Sequence, residues 1–351
     1  MSLVTKAGKT VVLGTLAAAF GVGAMAGVVA ERAIVGRSLR KGTHTGEPFG
    51  TLHSTPTEVI AKDGVKLCVE VENSIGGHDD ITVIFVHGYA LRQDEFHYQR
   101  RDLRNLARMV FYDHRGHGRS EVGDSSTHTI AQIAEDLETV IEAVAPVGSV
   151  VLVGHSMGGM AIQALAGRRP ELFGPRIKAA ILACTSSGGV TEVPLGLPES
   201  LGRFVQKVAP LVTTALAGKQ EIVDRSREAG SDLTLLLTRR YSFGSGVSPE
   251  LTQFVSELHA TTPIEVVGNF LHAFSEYDSK SDLPVLGQVK TVVVGAKEDL
   301  MTPLAHSEEI AALIPHSELI MLPETGHMLP LERYLEFNDI ITSVVERVRN
   351  S

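Results

Sequence analysis

The sequence contains no tryptophan and only two cysteines, Cys68 and Cys184. Each cysteine lies within an apolar run, and neither belongs to the close-spaced patterns that bind zinc or form a disulfide framework. We therefore expect two buried free thiols, which pack as small apolar side chains.

Basic charge is also scarce, with 32 lysines and arginines against 41 aspartates and glutamates. The formal net charge is −9, and six of the basic residues fall within the first 47 positions, so the rest of the chain is more acidic still. Proteins that bind nucleic acid present positive charge to the phosphates. The charge balance therefore argues against nucleic acid as a partner.

No motif in the sequence indicates a metal, a nucleotide or a flavin. The pair Gly21-x-Gly23 resembles part of a dinucleotide-binding fingerprint, but it lies in an apolar segment with no strand before it. We therefore expect a protein without a metal or a cofactor.

Charged residues are absent from residues 11–30, a stretch rich in alanine, valine and glycine. An apolar stretch of about 20 residues is long enough to cross a bilayer. Basic residues flank it on both sides, namely Lys6, Lys9, Arg32, Arg37, Arg40 and Lys41. The stretch predicts association with a membrane through a single N-terminal anchor.

Two other interpretations of this stretch stay open. Ala24-Met25-Ala26 has the form of a signal-peptidase site, and cleavage there would give a secreted protein. If the segment is retained, the basic residues after it place the body in the cytoplasm by the positive-inside rule. A buried core helix fits poorly, because the segment is apolar on every face and precedes a polar linker.

The 351 residues divide into four parts by their strand and helix patterns. Residues 1–48 hold the apolar segment and a linker. Residues 49–185 alternate strands with helices, which indicates an α/β fold with a mostly parallel sheet flanked by helices. Residues 186–288 show helical patterns without a strand and predict an inserted helical cap, and residues 289–351 return to the core.

The same patterns give bounds for single elements. Residues 57–73 predict an antiparallel hairpin at the edge of the sheet, in which Lys66, Cys68 and Glu70 face away from the apolar side. Residues 95–109 predict one helix. The predicted cap helices are residues 199–216, 221–228, 232–241, 249–260 and 264–277.

The most specific motif is Gly154-His155-Ser156-Met157-Gly158, which links a predicted buried strand to a predicted helix. A serine on such a sharp turn projects its Oγ into the open, and the turn requires small neighbours, which Gly154, Gly158 and Gly159 provide. Ser156 is therefore a candidate nucleophile. A glycine-rich turn without any chemistry is the alternative, since the pentapeptide also arises by chance.

Two partners for Ser156 follow later predicted strands. Asp299 comes just after the strand at residues 291–294, and His327 comes just after the strand at residues 318–322. Because the carboxyl ends of parallel strands meet at one edge of a sheet, we expect these side chains to converge on Ser156. Glu298 is the rival for the acid.

Five motifs in this order make the chain resemble the α/β-hydrolase superfamily, in particular its lipase, esterase and monoacylglycerol-lipase-like members. They are His87-Gly88, Asp113-x-Arg115-Gly116-x-Gly118-x-Ser120, Gly154-His155-Ser156-Met157-Gly158-Gly159, the segment from Gly295 through Asp299 to Pro303, and Gly326-His327. The resemblance leaves the N-terminal segment and the cap uncovered.

The resemblance implies a serine hydrolase that cleaves carboxylic esters of moderately apolar acyl groups through an acyl-enzyme. Ser156 would attack the ester, His327 would accept its proton, and Asp299 would orient the imidazole. The backbone N–H groups of Tyr89 and Met157 would form the oxyanion hole. The side chains of Tyr89 and Met157 would then be free to bind the acyl group of the substrate.

Two other functions stay open. Another reaction on the same scaffold, such as carbon–carbon hydrolysis, thioester hydrolysis or perhydrolysis without a cofactor, would use the same three residues. A non-catalytic binding protein would be expected to lack a triad member or an elbow glycine, and none is missing. Asp113 is expected to hold its own turn, and His87 and His155 are expected to shape the backbone.

Overall fold

The computed structural model describes residues 46–190, 231–244 and 246–351. The chain divides into two units, residues 47–246 with 251–351 and residues 1–46 with 247–250. The fold and the candidate site belong to the first of these units.

Several predictions fall outside the described residues, namely the apolar segment at 11–30 and the cap helices at 199–216 and 221–228. None of the helices that the structure does describe combines the length and hydropathy of a membrane-spanning segment. Membrane association through residues 11–30 therefore stays a prediction.

The centre of the fold is an eight-stranded sheet with the order β1-β2-β4-β3-β5-β6-β7-β8. Its strands are β1 Pro56–Ile60, β2 Lys66–Glu72, β3 Ile81–Val86, β4 Arg108–Tyr112, β5 Ser149–His155, β6 Ile177–Ala183, β7 Lys290–Ala296 and β8 Glu318–Leu322. The strands from β4 to β8 pair in parallel, whereas β2 is antiparallel to both β1 and β4. The predicted α/β fold and its antiparallel edge hairpin are confirmed.

Helices cover both faces of this sheet. In the described residues they are α1 His97–Asp102, α2 Ile130–Val144, α3 Met157–Arg168, α4 Ser231–Ser242, α5 Pro249–Ala260, α6 Ile264–Glu276, α7 Leu304–Leu313, α8 Leu329–Glu332 and α9 Tyr334–Arg349. Strand β3 shows the layering, because Ile84 packs into the cluster beneath α2 and α3 while Val83 and Phe85 pack into the cluster beneath α9. Both faces of the central strands are therefore buried, as parallel sheets require.

The helix predicted over residues 95–109 is present but much shorter than predicted, and its bounds are wrong. The chain forms a 3₁₀ turn at Gln93–Phe96 and then α1, which ends at Asp102, and β4 begins at Arg108. Beyond α1 the carbonyl of Arg104 accepts the N–H of Ile75 at 3.0 Å instead of a helical partner. Tertiary hydrogen bonds to a neighbouring loop thus replace the helical ladder that the apolar period suggested.

The prediction that β2 has one polar face is also wrong at Glu70, whose side chain is fully buried. Its carboxylate accepts the N–H of Ser54 at 2.8 Å and pairs with Arg100 and Arg119. Burial opposes ionisation of Glu70, but the two guanidinium groups outweigh it and lower its pKa to about 2. Cys68, on the same strand, and Cys184 are buried free thiols, as predicted.

Three buried histidines lie under the loops that follow β3 and β4. His87 Nε2 accepts the N–H of His114 at 2.9 Å, and His117 Nε2 accepts the N–H of Ala90 at 3.1 Å. A ring nitrogen that accepts a hydrogen bond cannot carry a proton, so the imidazoles of His87 and His117 are neutral. Burial accordingly lowers the pKa of His87 to about 4 and that of His117 to about 3.

We expect the free energy of unfolding to fall as the pH drops from about 6.5 to about 4. In this window His87 and His117 bind protons in the unfolded chain but not in the folded one. Each of them lowers the free energy of unfolding by about 1.4 kcal/mol per pH unit. Urea unfolding between pH 7.5 and 4.5 measures the slope. His87→Asn should flatten it and the exposed control His272→Gln should not; an unchanged slope in His87→Asn contradicts the assignment.

Candidate active site

Ser156 lies on the sharp turn between β5 and α3. Its backbone has φ 51° and ψ −118°, a conformation that costs strain in any residue with a Cβ. The Ser156 N–H donates to the carbonyl of Ala183 at 2.9 Å, which fixes the end of β5 against the end of β6. The turn therefore carries the serine at the carboxyl edge of the parallel strands, where the sequence predicts a site.

The strained turn depends on close backbone packing at Gly158. A Cβ added there would lie 1.9 Å from the carbonyl oxygen of Val86, a backbone atom of the neighbouring strand. Because that strand lies at the centre of the sheet, it cannot shift without breaking its ladder.

We expect Gly158→Ala to destabilise the fold by roughly 3 kcal/mol or more, because overpacking against fixed backbone has no flexible partner to yield. Thermal and urea unfolding measure this loss. Gly77→Ala is the control for the clash: Gly77, unlike Gly158, has a positive φ, 74°, which strains an alanine, but no atom lies within 4 Å of an added Cβ. A Gly158→Ala protein as stable as Gly77→Ala would contradict the account.

The structure brings together the three side chains that the sequence nominates. His327 Nε2 lies 2.9 Å from Ser156 Oγ, and His327 Nδ1 lies 2.8 Å from Asp299 Oδ2. All three are nearly buried, at 8%, 4% and 3% exposure for Ser156, His327 and Asp299. Low exposure keeps water from screening the two hydrogen bonds, so the three groups form a continuous chain of hydrogen bonds.

Asp299 is held by its own loop. Its Oδ1 accepts the N–H groups of Met301 and Thr302 at 2.8 and 2.9 Å, and its Oδ2 accepts the Thr302 hydroxyl at 2.7 Å. Burial opposes ionisation, but the imidazole of His327 and these hydrogen bonds outweigh it and lower the pKa of Asp299. The rival acid, Glu298, is exposed to solvent.

The two backbone N–H groups that the sequence nominates for the oxyanion hole, those of Tyr89 and Met157, have no backbone acceptor in the described residues. Met157 is the first residue of α3, and an N–H in the first turn of a helix has no intrahelical acceptor. In the described residues the Tyr89 N–H has no backbone acceptor either. The loop that carries it lies against Ser156, since a Cβ added at Gly88 would lie 3.3 Å from the Cβ of Ser156.

The Tyr89 side chain connects this loop to α6, which lies in the region predicted to be the cap. Its hydroxyl donates to the carbonyl of Val267 at 2.6 Å, and its ring meets Phe274 edge-on with the centroids 5.1 Å apart. Phe270, one turn earlier on α6, is fully buried beside His117. Helix α6 therefore brings apolar side chains onto the loops around Ser156, while the Met157 side chain is buried in the core.

Sequence reasoning missed the residues that support the three central side chains. Thr302 follows Asp299 by three residues, a spacing at which a threonine hydroxyl reaches a preceding aspartate, and this local signal could have identified it. The helical pattern around Glu95 gives no sign that its carboxylate is buried and meets His155. Asp113 does hold its own turn, accepting the N–H groups of Gln93 and Arg119 at 2.9 Å each.

The fold and the site together define a hydrolase of the α/β class, with its candidate residues at the carboxyl edge of a mostly parallel sheet. Residues 81–334 match the family model described as alpha/beta hydrolase fold, and the chain belongs to this family. In the part of the chain that the structure describes, no cluster of histidine, cysteine, aspartate or glutamate is arranged to hold a metal ion.

Known proteins resemble the chain over different shares of its length. The AB hydrolase superfamily protein YisY of Bacillus subtilis is 26% identical over 77% of this chain and 91% of its own length. A monoacylglycerol lipase of Mycolicibacterium smegmatis is 28% identical over 35% of this chain and 45% of its own length. The solved esterase EaEST of Exiguobacterium antarcticum has a TM-score of 0.65 at 22% identity and covers 83% of this chain and 100% of its own.

Proposed function

We propose that the protein is a serine hydrolase that cleaves carboxylic esters of moderately apolar acyl groups through an acyl-enzyme. The observation that carries the proposal is the unbroken series of hydrogen bonds from Ser156 through His327 to Asp299. The similarity to a protein named monoacylglycerol lipase supports the choice of ester substrates.

In this mechanism Ser156 Oγ attacks the ester carbonyl as its proton passes to His327 Nε2. A serine hydroxyl is a weak nucleophile at neutral pH, so it needs an adjacent base. Asp299 keeps the Nδ1 proton of His327 in place, which leaves Nε2 free to accept, and its negative charge stabilises the imidazolium that forms. His327 then protonates the leaving alcohol, and the same base activates water for deacylation.

The oxyanion that develops on the former carbonyl oxygen is stabilised by the N–H groups of Tyr89 and Met157. Such donors are fixed before the reaction begins, so no reorganisation is needed when the charge appears, and one of them typically contributes about 3 kcal/mol. The positive end of α3, which starts at Met157, points toward the same oxygen and adds to the effect.

The proposed acyl preference rests on the apolar side chains that α6 brings to the site, Phe274 beside Tyr89 and Phe270 beside His117. A series of p-nitrophenyl esters from acetate to palmitate measures it, and we expect kcat/KM to peak at short to medium chains. No hydrolysis of any ester, with Ser156 still labelled by a fluorophosphonate, would move the function to another reaction of the same nucleophile.

We also propose that residues 11–30 anchor the full chain in a membrane. The proposal holds for a body on either one of the two sides of that membrane. Deletion of residues 1–46 retains Glu47, which bonds His97 at 2.8 Å and Arg101 at 2.6 Å. We therefore expect the shortened protein to remain folded, to leave the membrane fraction and to keep its kcat.

Fractionation and mass spectrometry of the mature N-terminus decide among the interpretations of this segment. A chain that starts at Met1 or Ser2 in the membrane fraction means an anchor, and one that starts at Gly27 means a secreted protein. Recovery of the uncleaved full chain in the soluble fraction would contradict the membrane proposal.

A further inference from the structure

Two fully buried ionisable side chains, Glu95 and His155, lie beside the candidate active site and have no part in the proposed proton transfer. Glu95 stands in the 3₁₀ turn at Gln93–Phe96, and His155 is the last residue of β5, directly before Ser156. Burial of two ionisable groups is costly unless they are paired and hydrogen-bonded. The contacts of Glu95 and His155 therefore need to offset the cost of burying both groups, and these contacts indicate what the two residues do.

The pair links the two loops on either side of the nucleophile. The Glu95 carboxylate accepts the N–H of Gly88 at 3.2 Å, on the loop that carries the Tyr89 N–H. The same carboxylate lies 3.2 Å from His155 Nδ1, and His155 Nε2 lies 2.9 Å from the backbone carbonyl oxygen of His327. The oxyanion loop and the loop of the base are thus joined through two side chains.

The chemistry of the acceptors fixes the protons of this pair. A carbonyl oxygen only accepts, so His155 Nε2 carries a proton. A second proton lies between His155 Nδ1 and the Glu95 carboxylate. Without it, two lone pairs would face each other at hydrogen-bond distance and repel. Burial opposes a charged imidazole, but the Glu95 carboxylate outweighs it and raises the pKa of His155. His155 therefore donates from both nitrogens, once to the Glu95 carboxylate and once to the loop of the base.

We propose that Glu95 and His155 form a positioning pair that sets the Tyr89 oxyanion donor and the His327 base at their working distances from Ser156. The proposal deepens the proposed ester hydrolysis and rests on it. The packing agrees with this role, because the rings of His155 and His327 lie with their centroids 5.0 Å apart, and an added Cβ at Gly88 would lie 3.1 Å from His155 Nδ1. A small movement of either loop breaks one of the three contacts.

Replacement of Glu95 tests the role. In Glu95→Leu the Gly88 N–H and His155 Nδ1 lose their partner, and both loops are released. We expect kcat for p-nitrophenyl butyrate to fall about 100-fold, the size of the loss of one oxyanion donor, with KM changed less than about 3-fold.

Glu95→Gln is the conservative rescue. Its amide oxygen accepts the Gly88 N–H while its NH₂ group donates to Nδ1 of a neutral His155, so all three contacts persist. We expect the kcat of Glu95→Gln to be at least about tenfold higher than the kcat of Glu95→Leu. His155→Phe should lose about as much kcat as Glu95→Leu. The double variant that combines the two substitutions should lose no more than either single variant, because the effects of residues that act as one unit are not additive.

A second buried glutamate provides the matched control. Glu70 is as buried as Glu95 but bonds Ser54 and two arginines instead of the site loops. Glu70→Leu should lower the Tm. Its kcat, calculated per folded molecule with the folded fraction taken from circular dichroism, should stay within about 3-fold of the wild-type value.

The outcomes separate the positioning role from the underlying function. Glu95→Leu with a normal kcat, no recovery in Glu95→Gln, or an equal loss of kcat in Glu70→Leu would each overturn the positioning role in an active wild-type enzyme. A folded wild-type protein that neither hydrolyses the ester nor reacts with a fluorophosphonate would instead overturn the proposed function, and the positioning role with it.

Discussion

Replacement of Ser156 by alanine is expected to lower kcat by about 10⁴- to 10⁶-fold, because the substitution removes the nucleophile and leaves only binding and the oxyanion donors. The substitution deletes one oxygen atom and keeps the Cβ, so the φ of 51° is no harder to hold than in the wild type. The Tm should therefore stay within a few degrees of the wild-type value, and residual substrate binding should persist. Stopped-flow and steady-state assays with p-nitrophenyl butyrate measure the loss.

Ser186→Ala is the matched control for this substitution. Ser186 is also buried, three residues after β6 ends, and its hydroxyl donates to the carbonyl of Gly188 at 2.6 Å and meets His306 Nδ1 at 2.9 Å. It does not contact His327 or Asp299, so its kcat should stay within about 3-fold of the wild type. If Ser156→Ala kept more than a few per cent of the activity, the serine would not be the nucleophile.

Asp299→Asn is expected to lower kcat by about 10⁴-fold with little change in KM. The N–H groups of Met301 and Thr302 both point at Oδ1, so the asparagine oxygen takes that position and its NH₂ group faces His327 Nδ1. That NH₂ group donates, which forces Nδ1 to accept and moves the imidazole proton to Nε2. An Nε2 that carries a proton cannot accept one from Ser156.

Glu298→Gln tests the same loop without touching the imidazole. Glu298 is exposed, and its N–H already bonds the carbonyl of Thr325 at 2.9 Å through the backbone alone. We expect its kcat to stay within about 3-fold of the wild-type value. A loss in Glu298→Gln as large as that in Asp299→Asn would show that the acid has been assigned to the wrong residue.

The sequence predicts the core and the order of the central residues because both depend on short-range patterns. The apolar run that becomes β5, the small residues at Gly154, Gly158 and Gly159, and the helical period after them are all local, and together they define the turn at Ser156. Asp299 and His327 follow from the rule that parallel strands deliver side chains at one edge.

What the sequence does not show depends on contacts between distant residues. Glu95 and His155 meet through the packing of a turn on the end of β5, and no local pattern predicts this contact. The same holds for Glu70, which a strand period places in solvent but which two arginines from other elements enclose. The bounds predicted for the helix at 95–109 failed for this reason as well, since its later carbonyls bond a loop near Ile75.

The most direct test of the central claim is the mass of the protein after brief reaction with p-nitrophenyl butyrate and a rapid acid quench, followed by peptide mapping. An activated ester acylates a serine faster than water removes the acyl group, so an acyl-enzyme should accumulate before the quench. We expect one butyryl group per molecule, located on Ser156 and absent from the Ser156→Ala protein. Hydrolysis without an adduct, or an adduct on another residue that persists in Ser156→Ala, would contradict the account.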